Sequence, residues 1–306
     1  MEDQVLIKNF TNFLREKNFS EYTILNYDKD INDFLDFIRS EKMAPSLIKV
    51  TRERIASNYI SYLSSQKYSA KSVNRKISAL RSFYDYLIMN YFIETNVFKE
   101  VSNVKTPKRL PSFVDSEDIM YLINNIDTNS DLGYRNRVLI ELLFGTGMRV
   151  SELCSLEIKD VDFYNNEIRI FGKGKKERIA YLYDSLADLL RHYMFYTRSN
   201  LLAISNNDEI KNVFINYKGT PLTTRGVRKI LNKEIENCSL NLHITPHMLR
   251  HSFATAMLNN GLDLRSVQTL LGHENLTTTQ IYTHISEANI RETFDKAFPR
   301  AKDGKE

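Results

Sequence analysis

Cysteine is scarce in this sequence. Cys154 and Cys238 are the only two in 306 residues, so no disulfide framework can be built and a reducing, cytoplasmic setting is expected. No apolar run approaches the roughly 20 residues that span a bilayer, so no membrane partner is expected. The opening Met1-Glu2-Asp3-Gln4 is acidic and polar, unlike a secretory leader. Repeats of roughly 20–50 residues and low-complexity tracts are missing, which excludes solenoids and biased tails. Acidic residues are missing from one stretch. Between Glu53 and Asp85 stand Arg54, Lys67, Lys71, Arg75, Lys76 and Arg81, with no acid among them.

What is present is an ordinary globular composition, 42% hydrophobic and 26% charged. The length suits one large or two medium domains. Charge is uneven along it: residues 1–110 hold 18 Lys/Arg against 13 Asp/Glu (+5), and residues 111–306 hold 24 against 25 (−1), giving the net +4. A local cationic excess attracts a polyanion, although a charge run is also commonly just a solvated face.

Apolar spacing predicts helices throughout the first hundred residues. Val5, Ile7, Phe10, Phe13 and Leu14 mark the first. Ser20 starts a second, with Ile24, Tyr27, Ile31, Phe34, Leu35 and Ile38 inside. Thr51 is placed to cap a third and Ser69 a fourth, whose stripe is Val73, Ile77, Leu80, Tyr84 and Leu87. Lys71 and Arg75 fall opposite that stripe. The segment 103–112 holds Pro107, Pro111, Lys105, Lys108 and Arg109, and reads as a linker able to lie along a phosphate backbone. The expected division is therefore a helical domain over 1–104, a linker over 105–112 and a second domain over 113–306.

The second domain opens with helices near 115–125 and 131–144, the latter running into Gly145-Thr146-Gly147-Met148-Arg149. Two glycines predict a tight turn that sets where Arg149 emerges, and Glu152 is placed to brace it. Glu167–Phe171 and Arg178–Leu182 alternate like the strands of a hairpin whose turn carries Lys173. A turn lysine is ordinarily solvated; this one is also placed to reach a nucleic-acid groove and donate a proton. Val213-Phe214-Ile215 reads as a short strand. Helices follow near 184–200 and 223–236, the second with a stripe of Arg225, Arg228, Lys229 and Lys233.

The densest cluster lies between Thr245 and Tyr282. Pro246 suits a first helical turn, and His247 and Arg250 then share a face, with Phe253, Met257 and Leu258 opposite. Gly272 is placed to stop an apolar helix, with His273 next and Tyr282 nine residues later. Arginine's planar fork matches phosphate oxygens. A phenol can act as a nucleophile when cations lower its pKa of about 10. Taken singly, each of these residues also has an ordinary structural reading.

Together, Gly145–Leu153, Gly172-Lys173-Gly174, His247–His251, Leu271-Gly272-His273 and Tyr282 resemble the tyrosine recombinases, or phage-type integrases, and their size most resembles the Xer group. The resemblance implies a mainly α fold with a small antiparallel sheet: an N-terminal SAM-like, core-binding helical bundle and a mixed α/β catalytic domain. It implies a C-shaped clamp around duplex DNA. Arg149, Arg250, His247 and His273 would hold a phosphodiester, Lys173 would be the general acid, and Tyr282 would form a 3′-phosphotyrosyl link. No metal, cofactor or ATP is called for. Lys67, Lys71, Arg75, Lys76, Arg81, Lys108, Arg109, Arg225, Arg228 and Lys229 are the expected DNA-binding residues. Partners implied are double-stranded DNA and a tetramer, of this chain or with a paralogue, with an FtsK-type translocase as a family activator. The reaction implied is chromosome-dimer resolution at a dif-like site. Ile290, Phe294 and Phe298 would dock on a neighbouring subunit, the alternative being packing on their own domain.

Three other readings compete: a phage or integron integrase, a DNA-binding paralogue without catalysis, and a metal-dependent hydrolase. The first is disfavoured in its larger phage form because no arm-binding domain precedes residue 1. The last is disfavoured because no glutamate stands between His247 and His251 as in His-Glu-x-x-His.

Overall fold

The computed structural model describes residues 2–105, 114–172, 177–205, 207, 209–240, 242–272, 291 and 294. It divides into two compact units, residues 1–110 and 111–306. Among the described residues the structure is mainly helical, with one small antiparallel sheet.

The first unit is built from α1 (Asp3–Glu16), α2 (Glu21–Ser40), α3 (Glu53–Ser65) and α4 (Ala70–Met89). Ser20 and Ser69 cap α2 and α4, accepting from Thr23 N and Ser72 N, and so satisfy donors that a helix start leaves free. Thr51 does not cap α3. That helix starts one residue later than its pattern suggests, behind Arg52, without a side-chain cap. The expected apolar stripes meet in one core, except for Val5, which is exposed; there Phe34 packs edge-on to Tyr59 at 4.9 Å and Phe98 at 5.2 Å. Phe98 belongs to a tail that follows α4 back into the bundle. Arg81 holds it by donating to the Phe98 and Val101 carbonyls at 3.2 and 2.8 Å.

The second unit contains α5 (Ser116–Asn124), α6 (Asp131–Thr146), α7 (Val150–Ser155), β1 (Val161–Asp162), β2 (Glu167–Phe171), β3 (Glu177–Tyr181), α8 (Asp184–His192), α9 (Arg198–Ala203), α10 (Thr224–Asn237), α11 (Pro246–Asn259) and α12 (Leu264–Leu271). The α6 helix is its axis, buried along Val138–Thr146 and packed by α5, α8, α10 and α11. The sheet order is β1-β2-β3, with Arg169 opposite Ile179 and Phe171 opposite Glu177. Ile168 and Ile170 face the core while Arg169 and Phe171 face out, the period-two alternation of a half-buried strand.

Several expectations change here. Gly145 and Thr146 remain inside α6, and only Gly147 turns the chain, at φ +59. Val213–Ile215 makes isolated bridges and no strand. Side chains take carbonyls at and just before its start: Tyr193 Oη donates to Val213 O at 3.1 Å, and Arg198 donates to Asn212 O at 2.9 Å and Ile210 O at 2.6 Å. Tyr193 opens a π-helical stretch, Tyr193–Thr197, inside the predicted 184–200 helix. Leu258 is 39% exposed and not part of the buried face of α11. Phe294 is 1% exposed, packed beside Tyr181 in the core of its own unit, so it is not a free docking residue here. Ile290 and Phe298 lie outside the described residues. Among the described residues no helix is long and apolar enough to cross a membrane.

Candidate active site and nucleic-acid interface

Three arginines from three distant elements meet around one carboxylate. Arg149 stands at the N-cap of α7, extended at φ −72 and ψ 147, directly after the left-handed Gly147 and Met148. Glu152, one turn into α7, accepts from Arg149 N at 2.7 Å and from Arg149 Nη1 at 2.8 Å. Its position at an N-terminal turn also suits a negative charge. The expected brace is therefore formed. Arg178 on β3 donates from Nη2 to the same carboxylate at 2.7 Å, a participant that spacing did not disclose.

Arg250 reaches the site from the first turns of α11. Thr245 caps that helix by accepting from Met248 N, and Pro246 occupies its first turn as expected. The Arg250 fork spans two backbone ends: Nη1 donates to Gly147 O at 2.7 Å and Nη2 to Leu271 O at 2.6 Å. Gly272 stops α12 at φ +63, and Arg149 Nη2 donates to its carbonyl at 3.5 Å. Both arginines thus converge on the helix end that precedes His273. Arg250 is 6% exposed, deeper than the shared face with His247 suggests; His247 itself is exposed. The two glycines are sterically required. A Cβ on Gly147 would stand 2.4 Å from Phe253 Cδ1, and one on Gly272 would stand 2.8 Å from Arg178 Cδ.

Electrostatics point the same way. Burial pushes Arg250 down to about 10, with Arg149 and Arg178 adding repulsion and Glu152 opposing it. Burial likewise pulls Arg178 below the ordinary arginine range, partly countered by Glu152. Three guanidinium groups therefore stand near a single carboxylate. Such a half-buried cationic surplus is stabilised by an incoming anion. Lys173, His273 and Tyr282 lie outside the described residues.

The expected DNA-facing cations sort into two kinds. Lys67 and Lys71 are exposed in the first unit, and Arg225, Arg228 and Lys229 are exposed on α10, none of the five in an ion pair among the described residues. The other three are committed internally. Lys76 is 2% exposed, with Nζ 3.0 Å from Asp30 Oδ1 and 2.5 Å from Asp33 Oδ2. Arg75 pairs with the same buried Asp30. Arg81 spends its guanidinium on the carbonyls after α4. Charge counting along the chain could not see Asp30 and Asp33, which face these bases from α2. Lys108 and Arg109 lie outside the described residues.

Comparison with known proteins agrees with this arrangement. Residues 112–289 match the phage integrase family, and residues 7–90 match its N-terminal SAM-like domain. The chain is 43% identical to a tyrosine recombinase XerC of Oceanobacillus iheyensis, covering 99% of this chain and 98% of that one. It is 42% identical to a XerC of Bacillus subtilis over 96% of both. Among solved structures it resembles a XerH site-specific recombinase bound to a palindromic difH substrate in a post-cleavage complex, at 28% identity and TM-score 0.68, covering 89% of this chain and 79% of that one. The fold is shared with a Tn1549 transposon integrase, at TM-score 0.70 and 17% identity, covering 98% and 97% of the two chains. Helical bundle, arginine cluster and full-length likeness agree: the chain belongs to the phage integrase family and is a tyrosine recombinase of the Xer group, an enzyme of DNA strand exchange.

Proposed function

We propose that this recombinase resolves chromosome dimers at a dif-like site through a 3′-phosphotyrosyl intermediate, as part of a tetramer around two DNA sites. The observation that carries the chemistry is the convergence of Arg149 and Arg250 on the α12 stop at Leu271 and Gly272. In this reading the two guanidiniums bind the non-bridging oxygens of one DNA phosphodiester, with His247 and His273 adding donors. The Tyr282 phenol oxygen attacks phosphorus and gives up its proton to His247. The bond from phosphorus to the 5′-oxygen breaks, and Lys173 protonates the departing oxygen. The phosphotyrosyl link conserves the bond energy, so a 5′-hydroxyl of another strand reverses the step without ATP. Each preorganised arginine donor is worth about 2.7–4 kcal/mol of barrier. The difH-bound XerH structure and the XerC relatives support a dif-like site for this chain. Exposed Lys67, Lys71, Arg225, Arg228 and Lys229 supply the sequence-independent part of duplex affinity.

The test is the Tyr282→Phe chain on a nicked duplex from the host chromosome terminus. It is expected to bind that duplex and never become covalently attached, while the unaltered chain is trapped on it. A covalent adduct with the phenylalanine variant refutes the nucleophile; an unaltered chain that ignores terminus DNA refutes the dif-like target.

A further inference from the structure

Arg178 is the one cation of the site with no part in the reaction above. It stands on β3, five residues after Lys173 in the sequence. Its side chain is 11% exposed, and Nη2 donates to Glu152 Oε2 at 2.7 Å. That oxygen also receives the backbone N–H of Arg149 at 2.7 Å, while Oε1 receives Arg149 Nη1 at 2.8 Å. Arg178 Cδ lies 2.8 Å from where a Cβ on Gly272 would stand. One side chain therefore touches both the carboxylate that braces Arg149 and the end of α12 from which His273 follows.

Arg178 Nη1 is buried and has no hydrogen-bond partner among the described residues. An N–H buried without a partner adds a desolvation cost to a guanidinium that is otherwise paired with Glu152. An apolar chain of similar length would fill the same space without it. What the guanidinium adds is a fixed direction. Arg149 itself donates to both Glu152 oxygens, and Arg178 adds a second donor on Oε2 that resists rotation of the carboxylate, so the Arg149 fork is aimed. Arg149 needs that hold, since its own side chain is 43% exposed.

We propose that Arg178 is a positioning residue for the cleavage step, locking Glu152 and through it Arg149, and seating the α12 stop. The proposal rests on reading Arg149 as a phosphate-holding group. It predicts that Arg178 and Glu152 act as one unit.

The test is a double-mutant cycle in the full chain, with Arg178→Met, Glu152→Gln and the pair. Single-turnover covalent-complex formation is followed on a nicked duplex that the unaltered chain cleaves, alongside duplex affinity and thermal midpoint. R178M is expected to slow cleavage by about 10- to 100-fold, as loss of a supporting partner does at metal ligands. Affinity should change by less than about threefold, and cleavage is read well below each variant's midpoint, because R178M takes one of the two charged partners from Glu152. The pair should be within about threefold of the slower single variant, because coupled sites are not additive. Cleavage by R178M at the unaltered rate well below its midpoint, or two effects that multiply, overturns the proposal. If R178M does not fold, Arg178→Lys, which keeps the charge but loses the fork, goes through the same cycle with the same two outcomes. Arg149→Ala separates the two readings. Full cleavage there sinks the phosphate role itself, whereas a dead R149A beside a fully active R178M sinks only the role of Arg178.

Discussion

Alanine in place of Gly147 should damage this site more than its size suggests, and the damage can be apportioned. Gly147 sits at φ +59, where an L side chain costs roughly 1–2 kcal/mol. Its new Cβ would meet Phe253 Cδ1 at 2.4 Å and Leu271 Cδ2 at 2.8 Å. Neither neighbour can yield easily: Phe253 is 1% and Leu271 5% exposed. Overpacking of that kind costs a further 1–3 kcal/mol or so, for a total of about 2–5 kcal/mol. Gly261 provides the control. It has φ +96 but nothing within 4 Å of an added Cβ, so Gly261→Ala should show only the backbone part, about 1–2 kcal/mol. By calorimetry the Gly147 variant should unfold roughly 4–20 °C lower, for a unit of about 200 residues, and the Gly261 variant by clearly less. Cleavage should also drop for Gly147→Ala, because its carbonyl anchors Arg250 Nη1 at 2.7 Å. Equal shifts for the two variants would refute the packing argument, and an unchanged midpoint for Gly147→Ala would refute both parts.

Other outcomes follow from the remaining geometry. Lys76→Met leaves Asp30, itself 0% exposed, with only Arg75, and should cost about 3–5 kcal/mol in urea unfolding. Burial raises the Asp30 carboxyl despite Lys76 and Arg75; a carboxyl raised in the folded state favours folding below its unfolded pKa and loses that benefit as pH rises through the folded value. The Lys76→Met deficit should therefore shrink as pH falls from 7 toward 4, and duplex affinity should stay constant; a deficit flat in pH would sink the assignment. Lys67→Glu with Lys71→Glu should weaken duplex binding and reduce the salt slope by about one per lost phosphate contact, so an unaltered slope in filter-binding titrations moves the DNA face elsewhere. Lys173→Ala should lose cleavage of ordinary DNA and regain it when sulfur replaces the leaving oxygen; no rescue in a single-turnover assay assigns the acid to another residue.

Local chemistry made much of this chain legible. Ser20 and Ser69 announced helix starts that they do cap, and Pro246 a first turn that it occupies, because these preferences are decided within three residues. Gly272 announced a helix stop, because positive φ is a property of one residue. The β2–β3 hairpin followed from period-two alternation. Where such rules failed, a distant partner had intervened. Val213–Ile215 has the composition of a strand, but Tyr193 and Arg198 took the carbonyls along 210–213.

Charge shows the division most clearly. From the sequence alone came the residue types, their order and spacing, and hence the family, a cationic first domain and a set of phosphate-binding side chains. Which cations are free was decided only by folding, since α2 brings Asp30 and Asp33 to Lys76 across more than forty positions. Likewise Arg178 reads in the chain as one more base near a turn, and becomes the partner of Glu152 only because β3 passes beside α7. A side chain's helix or strand is set by its near neighbours along the chain, whereas the fate of its charge is set by whatever lies within a few ångströms in space.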